Sequence, residues 1–164
     1  VMPPTSVDFN VRPAHCVWTA RSMTKILVIE DEAPIRNKIV TVLKYEIYDV
    51  IDAPNGREGV ESARENSPDL IICDVLMPDM NGYGALAALR DDPETSVIPV
   101  IFLTAAASRA DMRKGMELGA DDYITKPYTV EELLAAVRTR LERQEIIKSR
   151  STAGDEPGES IADS

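Results

Sequence analysis

The sequence predicts an α/β domain, a doubly wound five-stranded parallel sheet with helices on both faces. Strand-like segments recur five times, the clearest of them as short, continuous apolar runs, and each is followed by a segment with helical periodicity. Such runs are typical of strands that are buried on both faces, as in parallel sheets. Strands that alternate with helices need crossover connections, which are right-handed and place helices on both sides of the sheet.

The first two strand–helix units follow from local patterns. Residues 25–29 (KILVI) are predicted to form the first strand, and Pro34 opens a helix at a first-turn position. Residues 48–53 form a second, weaker strand, and Asn55-Gly56 turns the chain into the second helix. Apolar residues at helical spacing mark the inner faces of these helices: Ile35, Ile39, Val42 and Leu43 in the first, and Val60 and Ala63 in the second.

Three further units complete the fold. The predicted strands are residues 70–73 (LIIC), 97–103 (VIPVIFL) and 122–125 (DYIT). Gly119 is placed to cap the fourth helix in the left-handed conformation, and Thr129 with Glu132 forms a capping box for the fifth. The helices carry these residues: Leu86 and Leu89 in the third, Met112 to Leu118 in the fourth, and Leu133, Leu134, Val137 and Leu141 in the fifth.

The two ends of the chain differ from its middle. Residues 1–22 contain three prolines and no helical or strand period, so they are predicted to be a disordered leader. Residues 23–145 form the domain. Residues 146–164 are predicted to be the end of the last helix followed, from Ser151, by an acidic disordered tail.

Composition limits the possible functions. The net charge of −10 repels phosphate backbones, which argues against direct binding of nucleic acid. No stretch is long and apolar enough to span a membrane, and the leader lacks the apolar centre of a signal peptide, so we expect a cytoplasmic protein. Cys16 and Cys73 do not form a disulfide framework or a metal pair.

Polar side chains end four of the five predicted strands. Glu30 and Asp31 follow the first strand, Asp74 the third, Thr104 the fourth and Lys126 the fifth. Ligands of open parallel sheets bind at the carboxyl ends of the strands, and these ends meet at one edge. The sequence therefore predicts that all five side chains converge there.

This combination of residues indicates phosphoryl chemistry. Three carboxylates in one cleft repel each other, and a hard divalent cation removes that repulsion. Oxygen ligands of this kind suit Mg²⁺, which also binds phosphate oxygens. Lys126 supplies a positive charge for a phosphoryl group, and the Thr104 hydroxyl supplies a hydrogen bond. Together these groups predict phosphoryl transfer to an aspartate.

Four strings carry a resemblance to a known family: ILVIEDE, DLIICDVLMPDMNG, VIFLTA and YITKP. In their order and spacing they resemble the motifs of response-regulator receiver domains of two-component phosphorelays. The resemblance spans roughly residues 24–143 and implies a flavodoxin-like strand order, 2-1-3-4-5.

The resemblance implies an acceptor and a metal site. Asp74 would be the phosphoacceptor. Asp31 and Asp74 would bind Mg²⁺ together with the backbone carbonyl of Leu76 and, directly or through water, Glu30. The family more often has aspartate where Glu30 stands, which lengthens one ligand arm.

The resemblance also implies a switch. Thr104 and Lys126 would assist the chemistry, and Thr104 with Tyr123 would form the switch pair. The Lys126-Pro127 bond would be cis, which aims the lysine into the site. Side chains at Leu76 and Ala106 occupy positions that in this family can hold the water that hydrolyses the acyl phosphate.

The resemblance and the position of the histidine together indicate the partners of this chain. The one histidine, His15, lies in the leader, so the phosphoryl donor must be a histidine kinase, a phosphotransfer protein or a small acyl phosphate. The output would be a downstream protein or a homodimer on the face of the fourth helix, fifth strand and fifth helix. No membrane partner is expected, and the chain would be a switch rather than a turnover enzyme.

Several alternatives can be compared with this interpretation. A phosphatase with an aspartyl-phosphate intermediate needs a second aspartate where Leu76 stands. A phosphorylation-independent pseudo-receiver would lack the acceptor or the lysine, and both are present. A receiver fragment of a longer regulator stays open. A dinucleotide-binding domain would have a glycine-rich turn where EDEAP follows the first strand.

Overall fold

The computed structural model describes residues 23–105 and 109–155, and there five strands alternate with five helices. The strands are β1 (Lys25–Ile29), β2 (Asp49–Ala53), β3 (Leu70–Asp74), β4 (Val100–Thr104) and β5 (Asp122–Thr125). The helices are α1 (Ala33–Tyr45), α2 (Gly56–Asn66), α3 (Gly82–Asp91), α4 (Arg109–Leu118) and α5 (Val130–Asp155). All paired strands are parallel, in the order β2-β1-β3-β4-β5, which confirms the predicted fold class and strand order.

Alternating residues of each central strand face opposite sides of the sheet. In β1, Leu27 and Ile29 pack with buried residues of α2 and α3, whereas Ile26 and Val28 pack with those of α1 and α5. All four are fully buried. Two apolar layers therefore cover the sheet, which explains why its central strands β1, β3 and β4 are largely continuous apolar runs rather than alternating ones.

The predicted helix boundaries near polar caps are correct. The Asn55 side chain accepts a hydrogen bond from the Glu58 backbone N–H (2.8 Å), which caps α2. Before α5, the Thr129 hydroxyl accepts from the Glu132 N–H (3.0 Å), and the Glu132 carboxylate accepts from the Thr129 N–H (2.9 Å). This reciprocal pair is the predicted capping box.

The end of α4 also follows the prediction. Gly119 has φ +103°, a conformation that L side chains rarely adopt. The next residue, Ala120, donates its N–H to the Gly115 carbonyl (3.0 Å), which closes the last turn of the helix.

Two predicted strand starts were wrong. β4 begins at Val100 rather than at residue 97, because Pro99 has no N–H and the Ile98 N–H is used in a turn with the Thr95 carbonyl (3.1 Å). β2 begins one residue late, because the Tyr48 N–H still bonds to the Leu43 carbonyl at the end of α1 (3.2 Å).

Helix α5 has 26 residues and runs to Asp155, so the first five residues of the segment predicted as a tail are helical. The predictions for residues 1–22 and 156–164 lie outside the described residues. Within residues 23–105 and 109–155, no helix is both long enough and apolar enough to cross a membrane.

Candidate functional site

The predicted polar residues lie at one edge of the sheet. Asp74 ends β3 and Thr104 ends β4, while Glu30 and Lys126 directly follow β1 and β5. Asp74 is in register with the residue before Thr104, so the two strands end almost level. The parallel topology therefore brings together side chains that are up to 96 positions apart in the sequence (30 to 126).

Two of the carboxylates are almost completely buried. Glu30 is 1% exposed and Asp74 is 5% exposed, while Asp31 is half-buried. The Lys126 Nζ lies 3.6 Å from Asp74 Oδ1 and 3.8 Å from Glu30 Oε1. One ammonium group thus faces both buried carboxylates, which leaves this edge with more negative than positive charge.

The acidic residues are arranged as a possible cation site. One carboxylate oxygen from each of Glu30, Asp31 and Asp74 lies within 4.8 Å of the others. Glu30 Oε2 accepts a hydrogen bond from the Glu32 N–H (3.2 Å), but the buried Oε1 has no hydrogen-bond partner among the described residues. A buried oxygen without a donor is costly. An all-oxygen set with such an oxygen fits a hard cation such as Mg²⁺.

The electrostatics of the cluster agree with this arrangement. The pKa of Glu30 is raised to about 7, mainly by burial and also by the neighbouring Asp74, against the opposing effects of the Glu32 N–H and Lys126. Burial also raises the pKa of Asp74, and Lys126 opposes that shift most strongly. Both shifts show that this edge disfavours additional negative charge, which a bound cation would relieve.

Tyr123 packs in a row of aromatic side chains. It is half-buried, and its ring packs edge-on against Phe102 with the centroids 5.5 Å apart. A Cβ atom at Gly115 would overlap its hydroxyl, so the side chain lies directly against α4. Phe102 also packs edge-on against Tyr83 of α3, at 5.4 Å. The aromatic row therefore connects α3, the sheet and α4.

Other predicted residues are found at the same edge. The Leu76 side chain is 61% exposed, and the Leu76 backbone N–H lowers the pKa of Asp74 against the larger effect of burial. The Lys126-Pro127 peptide bond is cis. The Lys126 N–H donates to the Thr104 carbonyl (2.8 Å), so the backbones of the lysine and the threonine are directly linked.

Sequence reasoning missed two residues that shape the site. Arg36 donates to the Glu30 carbonyl (2.8 Å) and to the Asp52 carboxylate (2.9 Å), which fixes the loop that follows β1. A Cβ atom at Gly82 would approach the Asp74 carbonyl to 2.6 Å, so only glycine lets α3 start this close to the acceptor. The Asn81-Gly82 pair was a signal for the glycine, whereas nothing local pointed to Arg36.

Comparison with known proteins gives consistent matches. A family model described as the response regulator receiver domain matches residues 26–138. A probable transcriptional regulatory protein of Picosynechococcus sp. is 44% identical over 132 residues, which cover 76% of this chain and 52% of that protein. The response regulator ArlR of Staphylococcus saprophyticus is 42% identical over 122 residues, which cover 74% and 54%. The structure of the Vibrio cholerae chemotaxis protein CheY4 superposes with a TM-score of 0.69 at 32% identity, covering 71% of this chain and 98% of that chain.

The matched region contains the whole acidic cluster, Thr104 and Lys126. The chain spans about half the length of the two curated relatives, whose remaining parts have no counterpart in the alignment. The matched region also has the strand order and alternating helices described above. The chain therefore belongs to the response regulator receiver family, the CheY-like signalling modules of two-component systems that partner with histidine kinases.

Proposed function

We propose that this chain accepts a phosphoryl group on Asp74 from a histidine kinase or a phosphotransfer protein and then changes its binding to a partner. One observation carries the proposal. Asp74 is a buried carboxylate at the end of the central strand, 3.6 Å from the Lys126 ammonium and beside two further carboxylates. A lone structural aspartate would not need this set of neighbours.

The transfer is a substitution at phosphorus. A carboxylate oxygen of Asp74 forms a bond to phosphorus as the phosphorus–nitrogen bond of a phosphohistidine breaks, and the electron pair of that bond stays on the imidazole. The product is an acyl phosphate. A bound Mg²⁺ would be held by Asp31, Asp74, Glu30 and the Leu76 carbonyl, and would supply positive charge for the phosphoryl oxygens.

Two side chains of the site would bind the incoming group. The Lys126 ammonium already lies near Asp74 Oδ1, so it can pair with a phosphoryl oxygen attached there. The Thr104 hydroxyl, buried at the end of the adjacent strand, is a hydrogen-bond donor for a second oxygen. These roles would assist the chain's own phosphorylation.

The site favours a switch over a turnover phosphatase. Leu76, two residues after the acceptor, has a side chain that cannot give or take a proton. General acid–base catalysis on an external phosphoester needs such a group within reach. A signalling module is also what the family match supports.

The output surface is proposed to be the face formed by α4, β5 and α5. Among the described residues, the exposed apolar side chains of Met112, Met116 and Val130 lie on the two helices of this face. Tyr123 of β5 packs against α4, which connects the face to the sheet. A downstream protein or a second copy of the chain would bind here.

Phosphorylation by a small donor tests the assignment directly. Incubation with acetyl phosphate and Mg²⁺ should add the mass of one phosphoryl group to the wild type and none to Asp74→Asn. Asp79→Asn is the matched control, because Asp79 is an exposed aspartate in the loop after β3 and should leave the modification unchanged. Modification that persists in Asp74→Asn would contradict the proposal.

A further inference from the structure

A groove lies at the edge of the sheet opposite the acidic cluster. It has a volume of about 940 Å³ and is formed by residues that directly precede the strands on one side and by the middle turns of α5 on the other. Its lining includes Met23, Tyr48, Val97, Leu141, Glu142 and Glu145. The groove exists because α5 continues past the end of the sheet, where no strand remains to pack against it.

The apolar surface of this groove is incompletely covered. The Val97 side chain is 76% exposed and the Met23 side chain is 49% exposed, while Leu141 is half-buried. The exposure of Val97 follows from the late start of β4, which leaves this residue outside the sheet. Exposed apolar residues that line one concave surface are typical of binding sites.

The segment that precedes Met23 is covalently joined to a residue of this surface. Met23 lines the groove, so residues 1–22 connect to the chain at its rim. Trp18 is five residues away, which limits its distance from Met23 to about 17 Å. Val17 and Trp18 are apolar neighbours in that segment, and a tryptophan buries more surface than other side chains.

Charge distinguishes this segment from the opposite end of the chain. The groove is acidic, because Asp69, Glu142 and Glu145 outnumber Arg138. Residues 1–22 are basic overall, with Arg12 and Arg21 against Asp8. Residues 156–164 hold three acidic residues and no basic one, so the groove would repel them.

We propose that residues 12–22 dock in this groove, with Trp18 in contact with Val97 and Leu141 and with Arg21 near Glu142 and Glu145. Docking of this kind needs no regular secondary structure, which is compatible with Pro13 and with the absence of a helical or strand period in residues 12–22. The leader predicted to be disordered is then held at one point, and it covers apolar surface on the side of the domain away from Asp74.

The single tryptophan of the chain makes the docking measurable. In the full chain, Trp18 emission should be shifted to the blue relative to the urea-unfolded protein, and its quenching by acrylamide should be at least twofold weaker. Val97→Glu should bring both values to those of an exposed tryptophan, because a hydrated carboxylate replaces the apolar surface that the indole would contact. Val130→Glu is the matched control at the opposite end of α5 and should change neither.

Circular dichroism would show that both variants keep the fold, since Val97 and Val130 are exposed. An exposed Trp18 in the folded wild type would overturn the proposal. So would protection that Val97→Glu does not reduce, because Trp18 would then lie elsewhere. Protection that appears only at high concentration, with a dimer on a sizing column, would show docking on a second copy instead.

Discussion

Leu76 lies two residues after Asp74, and its apolar side chain affects how long we expect a phosphoryl group to stay on Asp74. Hydrolysis of an acyl phosphate needs a water molecule held in line with the breaking bond. The exposed Leu76 side chain cannot donate or accept a hydrogen bond to such a water. Ala106, at the other position expected to hold this water, lies outside the described residues and is likewise apolar.

We expect Leu76→Asn to shorten the lifetime of the phosphoryl group. One added hydrogen bond worth about 1.4 kcal/mol to the transition state corresponds to about tenfold in rate. The measurement is loss of the phosphoryl mass over time at fixed Mg²⁺ after the donor is removed. Leu76→Val is the control and should decay like the wild type. Equal decay of all three proteins would show that this side chain does not set the lifetime.

Glu30 should make stability depend on pH when no metal is bound. Its pKa is raised to about 7 in the folded protein from an ordinary value of 4.5, mainly by burial. The folded state therefore holds the proton more tightly than the unfolded state. Stability from this group is fully present below pH 4.5 and is lost as the pH rises through about 7. The difference amounts to about 3 kcal/mol.

Urea unfolding in EDTA at pH 5 and pH 8 measures this effect. Glu30→Gln stays neutral, so it should match the wild type at pH 5 and exceed its free energy of unfolding at pH 8. Addition of Mg²⁺ should stabilise the wild type more at pH 8 than at pH 5, and Asp31→Asn should reduce this gain. If the free energies of unfolding of the wild type and Glu30→Gln differed by the same amount at both pH values, the raised pKa of Glu30 would be contradicted.

Some residues of the site could be predicted from the sequence, and others could not. Glu30, Asp74 and Lys126 were predictable because each stands where a strand ends. A parallel sheet brings the carboxyl ends of its strands to one edge, so these side chains meet there. The place of Tyr123 against Gly115 was not, because it depends on the packing of α4 over the sheet. Arg36 was missed for a similar reason, since its partner Asp52 lies 16 residues away.

At the scale of elements, boundaries set by local chemistry were predicted well. The capping box before α5 and the glycine at the end of α4 involve residues within five positions of each other. The start of β4 was predicted too early because the apolar run continues through Val97 and Ile98, although Pro99 interrupts the hydrogen bonding that would extend the strand. The hydrophobic pattern alone does not reveal that a proline lacks the N–H donor that strand pairing needs.

Arg90 connects three elements that no sequence pattern associates. Its guanidinium donates to the carbonyls of Ile98 (2.7 Å), Ser96 (3.2 Å) and Gly119 (2.7 Å), and it pairs with Asp121 (3.3 Å). These contacts join the end of α3 to the loop before β4 and to the end of α4. Burial lowers the pKa of Arg90, and Asp121 opposes that shift.

We predict that Arg90→Met lowers the free energy of unfolding by about 2–4 kcal/mol, because it removes the guanidinium that donates to three partly buried carbonyls. Arg90→Lys should recover only part of this loss, since an ammonium cannot span three carbonyls. Arg113→Met, at an exposed position of α4, should change stability by less than about 0.5 kcal/mol. Urea titration compares the three. A loss in Arg113→Met as large as in Arg90→Met would remove the basis of this prediction.

At the scale of the whole molecule, α5 runs from near the acidic cluster to the groove at the other edge of the sheet. Its first residue lies four positions after Lys126, and its middle turns form one wall of the groove in which we propose that Trp18 docks. With 26 residues it is about 39 Å long. The acidic cluster therefore lies near the first turn of α5, and the groove lies beside its middle turns.

The proposed output face should respond to phosphorylation as one unit. A phosphoryl group on Asp74 would draw the Thr104 hydroxyl toward it, and the space that Thr104 leaves is available to Tyr123, whose ring already packs on Phe102. Tyr123 also contacts α4 at Gly115, so a change in its position reaches the surface. We expect backbone amides in the described part of residues 109–135 to change their exchange protection about fivefold or more.

Hydrogen exchange with and without acetyl phosphate, at constant Mg²⁺, measures this response in the wild type, Gly115→Ala and Gly84→Ala. Gly115→Ala should abolish it, because the added Cβ overlaps the Tyr123 hydroxyl and displaces the side chain before any phosphoryl group is present. Gly84→Ala is the matched control in α3, where the added Cβ meets only the Met80 Cγ at 3.2 Å and the Asn81 Oδ1 at 3.6 Å. Its response should equal that of the wild type. Identical protection of the output face in phosphorylated and unphosphorylated wild type would show that Asp74 and this surface are not coupled.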